Sequence, residues 1–150
     1  MSFSLMKILF DTSALLPGLR YPELREKAIG RIIHAGALPV VTDYILDELR
    51  LNIQKKYTAE EKAVALELLL QILSMGVLEI KTWDEYAPHL DEALELVPEK
   101  DAPVLAAAML VDIDYLLTTD KKHFLENKKL QGTAWRKKIK TPREFLEETA

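Results

Sequence analysis

Met6-Lys7-Ile8-Leu9-Phe10-Asp11-Thr12-Ser13 reads as an apolar strand that ends on an acid. A second run, Tyr115-Leu116-Leu117-Thr118-Thr119-Asp120, ends the same way. A third apolar run, Leu38-Pro39-Val40-Val41-Thr42, leads into a helix that carries Glu48 about one turn from its start. Asp101 heads the helix that leads into the Asp120 strand. A helix returning between parallel strands runs against them, so its N-terminus lies at the strands' C-terminal edge. All four acids are therefore expected at one edge, where open α/β sheets bind ligands. Four carboxylates gathered there repel one another unless a cation sits among them. Mg²⁺ and Mn²⁺ take oxygen ligands of this kind.

Outward from these strands the pattern alternates between sheet and helix. Thr12 or Ser13 caps a short helical turn that Pro17-Gly18 stops. Pro22 starts a helix through about His34, and Gly36 ends it. Thr42 is placed as N-cap of a helix over 43–56, whose apolar positions Ile45, Leu46, Leu49 and Ile53 have helical spacing. Thr58 caps a long helix over 59–75 with two apolar stripes, Leu66/Leu69/Leu70/Leu73 and Leu68/Ile72/Met75. Such a helix is sandwiched within its own domain or covered by a second chain, which here would make a homodimer. A short strand over 77–81, a helix over 84–96, a helix over 101–111 and a strand over 113–118 follow. Residues 121–136 read as mixed, with a helical turn near 123–126 and a loop at Gly132. Ile139 marks a last edge strand, and Pro142 opens a terminal helix. The whole, residues 1–150, reads as one domain: a three-layer α/β/α sandwich around a parallel sheet of four or five strands.

Composition narrows the chemistry. Nearly half of the 150 residues are hydrophobic, enough for a packed core, and no apolar run approaches a membrane span. The N-terminus carries no signal-peptide pattern, so a cytoplasmic protein is expected. The absence of cysteine excludes disulfides, thiolate catalysis and Cys-based metal sites. The formal charge of −4 conceals an asymmetry. Residues 121–143 hold nine Lys/Arg against Glu126 alone, a net +8, which leaves −12 for the remainder. That basic stretch follows Asp120 and would place a phosphate-attracting strip beside the acids, or else serve only as a solvated surface.

Ile8-Leu9-Phe10-Asp11-Thr12-Ser13, Tyr44-Ile45-Leu46-Asp47-Glu48-Leu49, Lys100-Asp101-Ala102-Pro103-Val104-Leu105 and Asp114-Tyr115-Leu116-Leu117-Thr118-Thr119-Asp120 stand in that order, followed by Ile139-Lys140-Thr141-Pro142-Arg143-Glu144-Phe145-Leu146. In order and spacing they resemble the signatures of the PIN domain, the fold of many metal-dependent ribonucleases, and stand-alone domains of this length are similar to VapC-type toxins of toxin–antitoxin pairs. The resemblance implies a catalytic and metal-binding set of Asp11, Glu48, Asp101 and Asp120. It implies Ser13 and Thr118 as their hydrogen-bonding supports, Mg²⁺ or Mn²⁺ as cofactor, RNA as substrate and an antitoxin as partner. It also implies that the first and fourth strands lie side by side. Lys121, Lys122 and His123, directly after Asp120, could contact substrate phosphates.

Phosphodiester hydrolysis at an acid-only site needs a metal to lower the pKa of a bound water and to offset charge on the phosphoryl oxygens. Each acid also has an ordinary explanation. Asp11 and Asp101 could cap their helices, Asp120 could sit in a turn, and Glu48 could be one of several helix acids beside Asp43 and Asp47. Two other readings stand beside the nuclease. One is a non-catalytic RNA- or protein-binding module on the same fold. The other is a haloacid-dehalogenase-like phosphatase, for which Ser13 stands where a second Asp is expected. Trp83, Trp135 and Tyr86 read as core or rim aromatics, and Asp114, near a strand start, as structural at the opposite edge.

Overall fold

The computed structural model describes residues 6–20, 28–74 and 78–149. Five strands, β1 (Lys7–Phe10), β2 (Leu38–Thr42), β3 (Glu79–Lys81), β4 (Tyr115–Leu117) and β5 (Ile139–Lys140), form one sheet in the order β3-β2-β1-β4-β5. Every adjacent pair is parallel. The chain winds from β1 one way through β2 and β3, then returns to add β4 and β5 on the other side. The switch point therefore lies between β1 and β4, with Leu9 opposite Leu116 and Phe10 opposite Leu117.

The central strands are buried on both faces, as a sheet between helical layers must be. Leu9, Val40, Val41 and Leu116 pack with Ile45, Leu49 and Ile53 of α3 (Asp43–Lys56) and with α7 (Ala102–Ala108). Ile8, Phe10 and Leu117 face the other way, toward Ile32 of α2 (Ala28–His34) and Phe145 of α8 (Pro142–Thr149). The three-layer arrangement and parallel sheet expected from the sequence are present.

Local signals place several ends as expected. Thr42 caps α3 by accepting the Ile45 amide at 2.9 Å. Thr58 and Glu61 exchange hydrogen bonds at the start of α4 (Ala59–Ser74), a capping box. Gly36 follows α2 at φ 101°, the left-handed region where a glycine closes a helix without strain. Pro22, Met75, Gly76 and Val77 lie outside the described residues.

Three expectations change. Pro17 does not stop the first helix: α1 runs Thr12–Arg20 with Pro17 inside it. A proline there lacks one N–H but continues a helix that packing holds. Leu15 and Leu16 pack on the core, and the Leu16 carbonyl accepts the Tyr57 hydroxyl at 3.1 Å. The single helix expected over 84–96 is instead α5 (Trp83–Tyr86), a 3₁₀ turn (Ala87–His89) and α6 (Leu90–Leu94). Pro88 opens that turn and cannot donate back to the preceding helix. The helix expected over 101–111 is α7 alone, ending at Ala108. No described helix is long and apolar enough to cross a membrane.

All seven residues of α7 are buried, and the small Ala106, Ala107 and Ala108 let it pack closely among its neighbouring helices, α6 above all. Ala107→Leu should therefore overpack this contact and cost about 1–3 kcal/mol. In urea unfolding this would appear as a lower midpoint with an unchanged m-value.

Candidate metal centre

The site is built at the C-terminal ends of β1 and β4. Asp11 follows β1, and its carboxylate is nearly buried. Its Oδ1 accepts the Thr12 amide at 2.8 Å; its Oδ2 accepts the Ser13 hydroxyl at 3.1 Å and the Thr118 hydroxyl at 2.8 Å. Thr118 also accepts the Asp120 amide at 3.1 Å, and Ser13 accepts the Thr119 amide at 3.1 Å. Ser13 and Thr118 thus join the two strand ends through Asp11. Glu48 comes in from α3, where its Oε1 accepts the Thr12 hydroxyl at 3.2 Å.

Asp101 stands at the N-cap position of α7, yet its side chain makes no capping hydrogen bond. Its Oδ2 is buried and accepts no hydrogen bond. His123 Nδ1 lies 3.2 Å from that oxygen and donates at 3.1 Å to Asp120 Oδ2 instead. Asp120 does cap a turn, since its Oδ1 accepts the His123 amide at 3.0 Å at the head of a π-type turn (Lys121–Leu125). Asn127 stiffens that turn by donating to the His123 carbonyl at 2.8 Å and the Leu96 carbonyl at 2.9 Å.

The acids feel one another. Burial pushes the Asp11 carboxyl above its usual range against its hydrogen bonds, and the charge of Asp120 adds to the push. Burial likewise raises Asp101, where His123 and Lys100 pull down and Asp120 and Asp11 push up. Glu48 is raised to about 7, by burial first and by Asp11 next. The four acids therefore share one electrostatic neighbourhood.

Their ligand atoms do not all meet at a single point. Asp101, Asp120 and His123 offer atoms within 4.8 Å of one another, close enough to share a small ion; Asp11 and Glu48 lie beside this group and are not members of it. An oxygen-rich donor set with one orphaned buried carboxylate oxygen suits a hard divalent cation. His123, which the sequence set near this edge as a phosphate contact, is the member it did not name as a ligand. Its proximity to Asp101 depends on the turn after Asp120, and no spacing rule encodes that.

The basic stretch is only partly available to a ligand. Arg136 donates to the Ile139 and Leu125 carbonyls at 2.7 and 3.2 Å, and Lys138 to those of Ala108 and Leu110 at 2.9 and 3.2 Å. Lys140 pairs with Glu148, and Arg143 with Glu147. Lys121, Lys122, Lys128, Lys129 and Lys137 are exposed. Asp114 behaves as expected at the far edge, accepting the Lys7 amide at 2.9 Å.

The linkage signs give a test. The folded Glu48 value, about 7, lies above its unfolded 4.5, so between these pH values the folded chain keeps a proton that the unfolded chain has lost. This favourable contribution is complete below the unfolded value and is lost as pH rises through about 7. Metal-free protein should therefore lose thermal stability as pH climbs across that window, and Glu48→Gln should flatten the loss. Mn²⁺ should raise the melting temperature at pH 7.5 and much less at pH 5, where protons compete for the carboxylates. Scanning calorimetry with and without EDTA reads both trends.

The family model described as PIN domain matches residues 7–122. No curated protein matches the chain significantly. Among solved structures, a chain of VapBC2 from Rickettsia felis, crystallised with a DNA fragment from its promoter, is 17% identical with a TM-score of 0.59, over 83% of this chain and 95% of that one. VapC20 of Mycobacterium tuberculosis, a toxin that cleaves the sarcin–ricin loop, is 14% identical with a TM-score of 0.55, over 77% of this chain and 91% of that one. At these identities the likeness is one of fold. With the match across residues 7–122 and the acids gathered at the β1–β4 switch point, the chain belongs to the PIN-domain family.

Proposed function

We propose that this protein is a divalent-metal-dependent endoribonuclease, acting as the toxin of a toxin–antitoxin pair. The observation that carries the reading is the buried, hydrogen-bond-free Oδ2 of Asp101 beside Asp120 and His123, where burial first and neighbouring carboxylates next raise Asp11, Glu48 and Asp101. A carboxylate cluster of this kind is destabilising by itself and is most readily understood as a cation site.

Asp101 and Asp120 are the ligands best supported by the geometry, with Asp11 and Glu48 contributing charge from beside them. Mg²⁺ or Mn²⁺ bound there would acidify a water and offset charge on the phosphoryl oxygens. Asp11 is held by Thr12, Ser13 and Thr118, so its carboxylate needs no reorganisation during reaction. Glu48 titrates near neutrality and suits the acceptance of a proton at that pH. Lys121 and Lys122, exposed directly after Asp120, would meet the phosphates of the incoming strand.

The toxin reading also needs partners. Leu66, Leu70 and Leu73 form an exposed stripe on α4. We assign this stripe to contact with a second copy of the chain, and the carboxylate edge to inhibition by an antitoxin.

Cleavage of single-stranded RNA should require Mn²⁺ or Mg²⁺ and stop in EDTA. Asp101→Asn and Asp11→Asn should each lower kcat by roughly 100-fold or more. Cleavage that persists in EDTA would falsify the metal mechanism. For the dimer, Leu70→Lys should shift the mass in light scattering to that of a monomer, with the fold intact by circular dichroism. An unchanged mass would remove this face from the interface.

A further inference from the structure

Beside the carboxylates, Tyr44, Trp83, Leu90, Leu94, Lys100 and Pro103 line an open cleft of about 560 Å³. The cleft adjoins the candidate metal centre, since its Tyr44 feels the charges of Glu48, Asp101 and Asp11. Lys100 and Ala102, both in its lining, flank Asp101 in the chain. Tyr44 precedes Glu48 by one helical turn, and its hydroxyl donates to the Lys100 carbonyl at 2.6 Å. Lys100 is close enough to Glu48 and Asp101 to draw both carboxyls down.

Two aromatic residues, Tyr44 and Trp83, line the cleft among aliphatic and charged neighbours, and their backbone is held from behind. Asp43 accepts the Tyr44 amide and the Trp83 amide, each at 2.8 Å, and also the Tyr86 hydroxyl. One carboxylate therefore locks the start of α3 to the start of α5. Tyr86 is buried and packs edge-on against Trp83, with ring centroids 5.4 Å apart and planes at 71°. Despite this support Trp83 remains 47% exposed, and Leu94 across the cleft 48%. An indole braced by Tyr86 and left open to water has the properties of a stacking platform.

We propose that this cleft is a nucleobase subsite. A base of single-stranded RNA, adjacent to the phosphodiester at the carboxylates, stacks on Trp83, while Lys100 meets the strand's backbone. The assignment rests on the ribonuclease reading of the neighbouring centre. An apolar peptide side chain could also enter such a cleft. A base is favoured because Tyr44 and Trp83 offer aromatic rings to stack on, and Lys100, next to Asp101 in the chain, offers a cation to the strand's backbone in a lining that also holds Glu99.

Trp135→Phe leaves Trp83 as the only tryptophan, so its fluorescence reports the cleft alone. The test titrates this protein, carrying Asp11→Asn to suppress cleavage, with a hexanucleotide RNA and with the same strand made abasic, both in Mn²⁺. The base-bearing strand should quench saturably and bind roughly 5-fold or more tighter than the abasic one. In the cleavage assay Trp83→Ala should raise KM by a similar factor with little change in kcat, and Trp83→Phe should recover most of the loss. Equal quenching by both strands overturns the subsite, as does an unchanged KM in Trp83→Ala or quenching by an apolar peptide but not by RNA. Base-dependent quenching without any cleavage keeps the subsite and removes the nuclease. Cleavage without base-dependent quenching does the reverse.

Discussion

The Asp11 carboxylate accepts the Thr12 amide, the Ser13 hydroxyl and the Thr118 hydroxyl, and so ties the end of β1 to the end of β4 with a nearly buried charge. Much of the site depends on this arrangement. It fixes the gap at the switch point of the sheet, and through Thr118 it orients the Asp120 amide. Burying a carboxylate is costly unless hydrogen bonds replace its water. Three donors do so here, yet the carboxyl remains raised because burial and the Asp120 charge outweigh them. The fold thus holds a charge at its most connected point and leaves it under tension that a cation would relieve.

The cationic stretch after Asp120 shows why charge counts alone do not define a ligand surface. Arg136 and Lys138 reach carbonyl groups that the turns around them leave over, and Lys140 and Arg143 pair with acids of α8. Arg136 and Lys138 thus tie this segment to the turn after Asp120 and to the end of α7, Lys140 ties β5 to α8, and Arg143 pairs within α8. The exposed lysines, Lys121 and Lys122 above all, retain a steering role. A second ionic group shows the same division. Lys81, almost buried, pairs with Glu79 and Asp112, and Lys7 with the same two acids, which fastens the loop before β4 to β1 and β3.

Where a local rule was enough, the sequence was legible. The runs ending at Asp11, Thr42 and Asp120, the Thr42 cap and the helix over 43–56 all follow from apolar spacing and capping chemistry, and all are present. The acids could be placed at one edge because parallel strands and returning helices leave them no other. Local rules failed where packing overrode them, as in α1 running through Pro17, and where one residue outweighed a periodic pattern, as Pro88 does in the helix expected over 84–96. Tyr86 in the core and Trp83 at the rim agree with their reading as core or rim aromatics, but nothing in the neighbours of Trp83 reveals that Asp43, forty residues earlier, accepts its amide.

By itself, the sequence determined the fold class and the edge to which Asp11, Glu48, Asp101 and Asp120 come, since hydrophobic period and chain direction fix which end of each element faces the ligand; the neighbouring of β1 and β4 was implied only by the resemblance to the PIN domain. Tertiary structure alone decided which atoms meet. It set Asp101 Oδ2 without a hydrogen bond, brought His123 between Asp101 and Asp120, left Asp11 and Glu48 just outside that group, and opened the Tyr44–Trp83 cleft beside it. Those outcomes depend on side-chain directions and turn geometry set by contacts far apart in the chain, and spacing along the sequence carries no record of them.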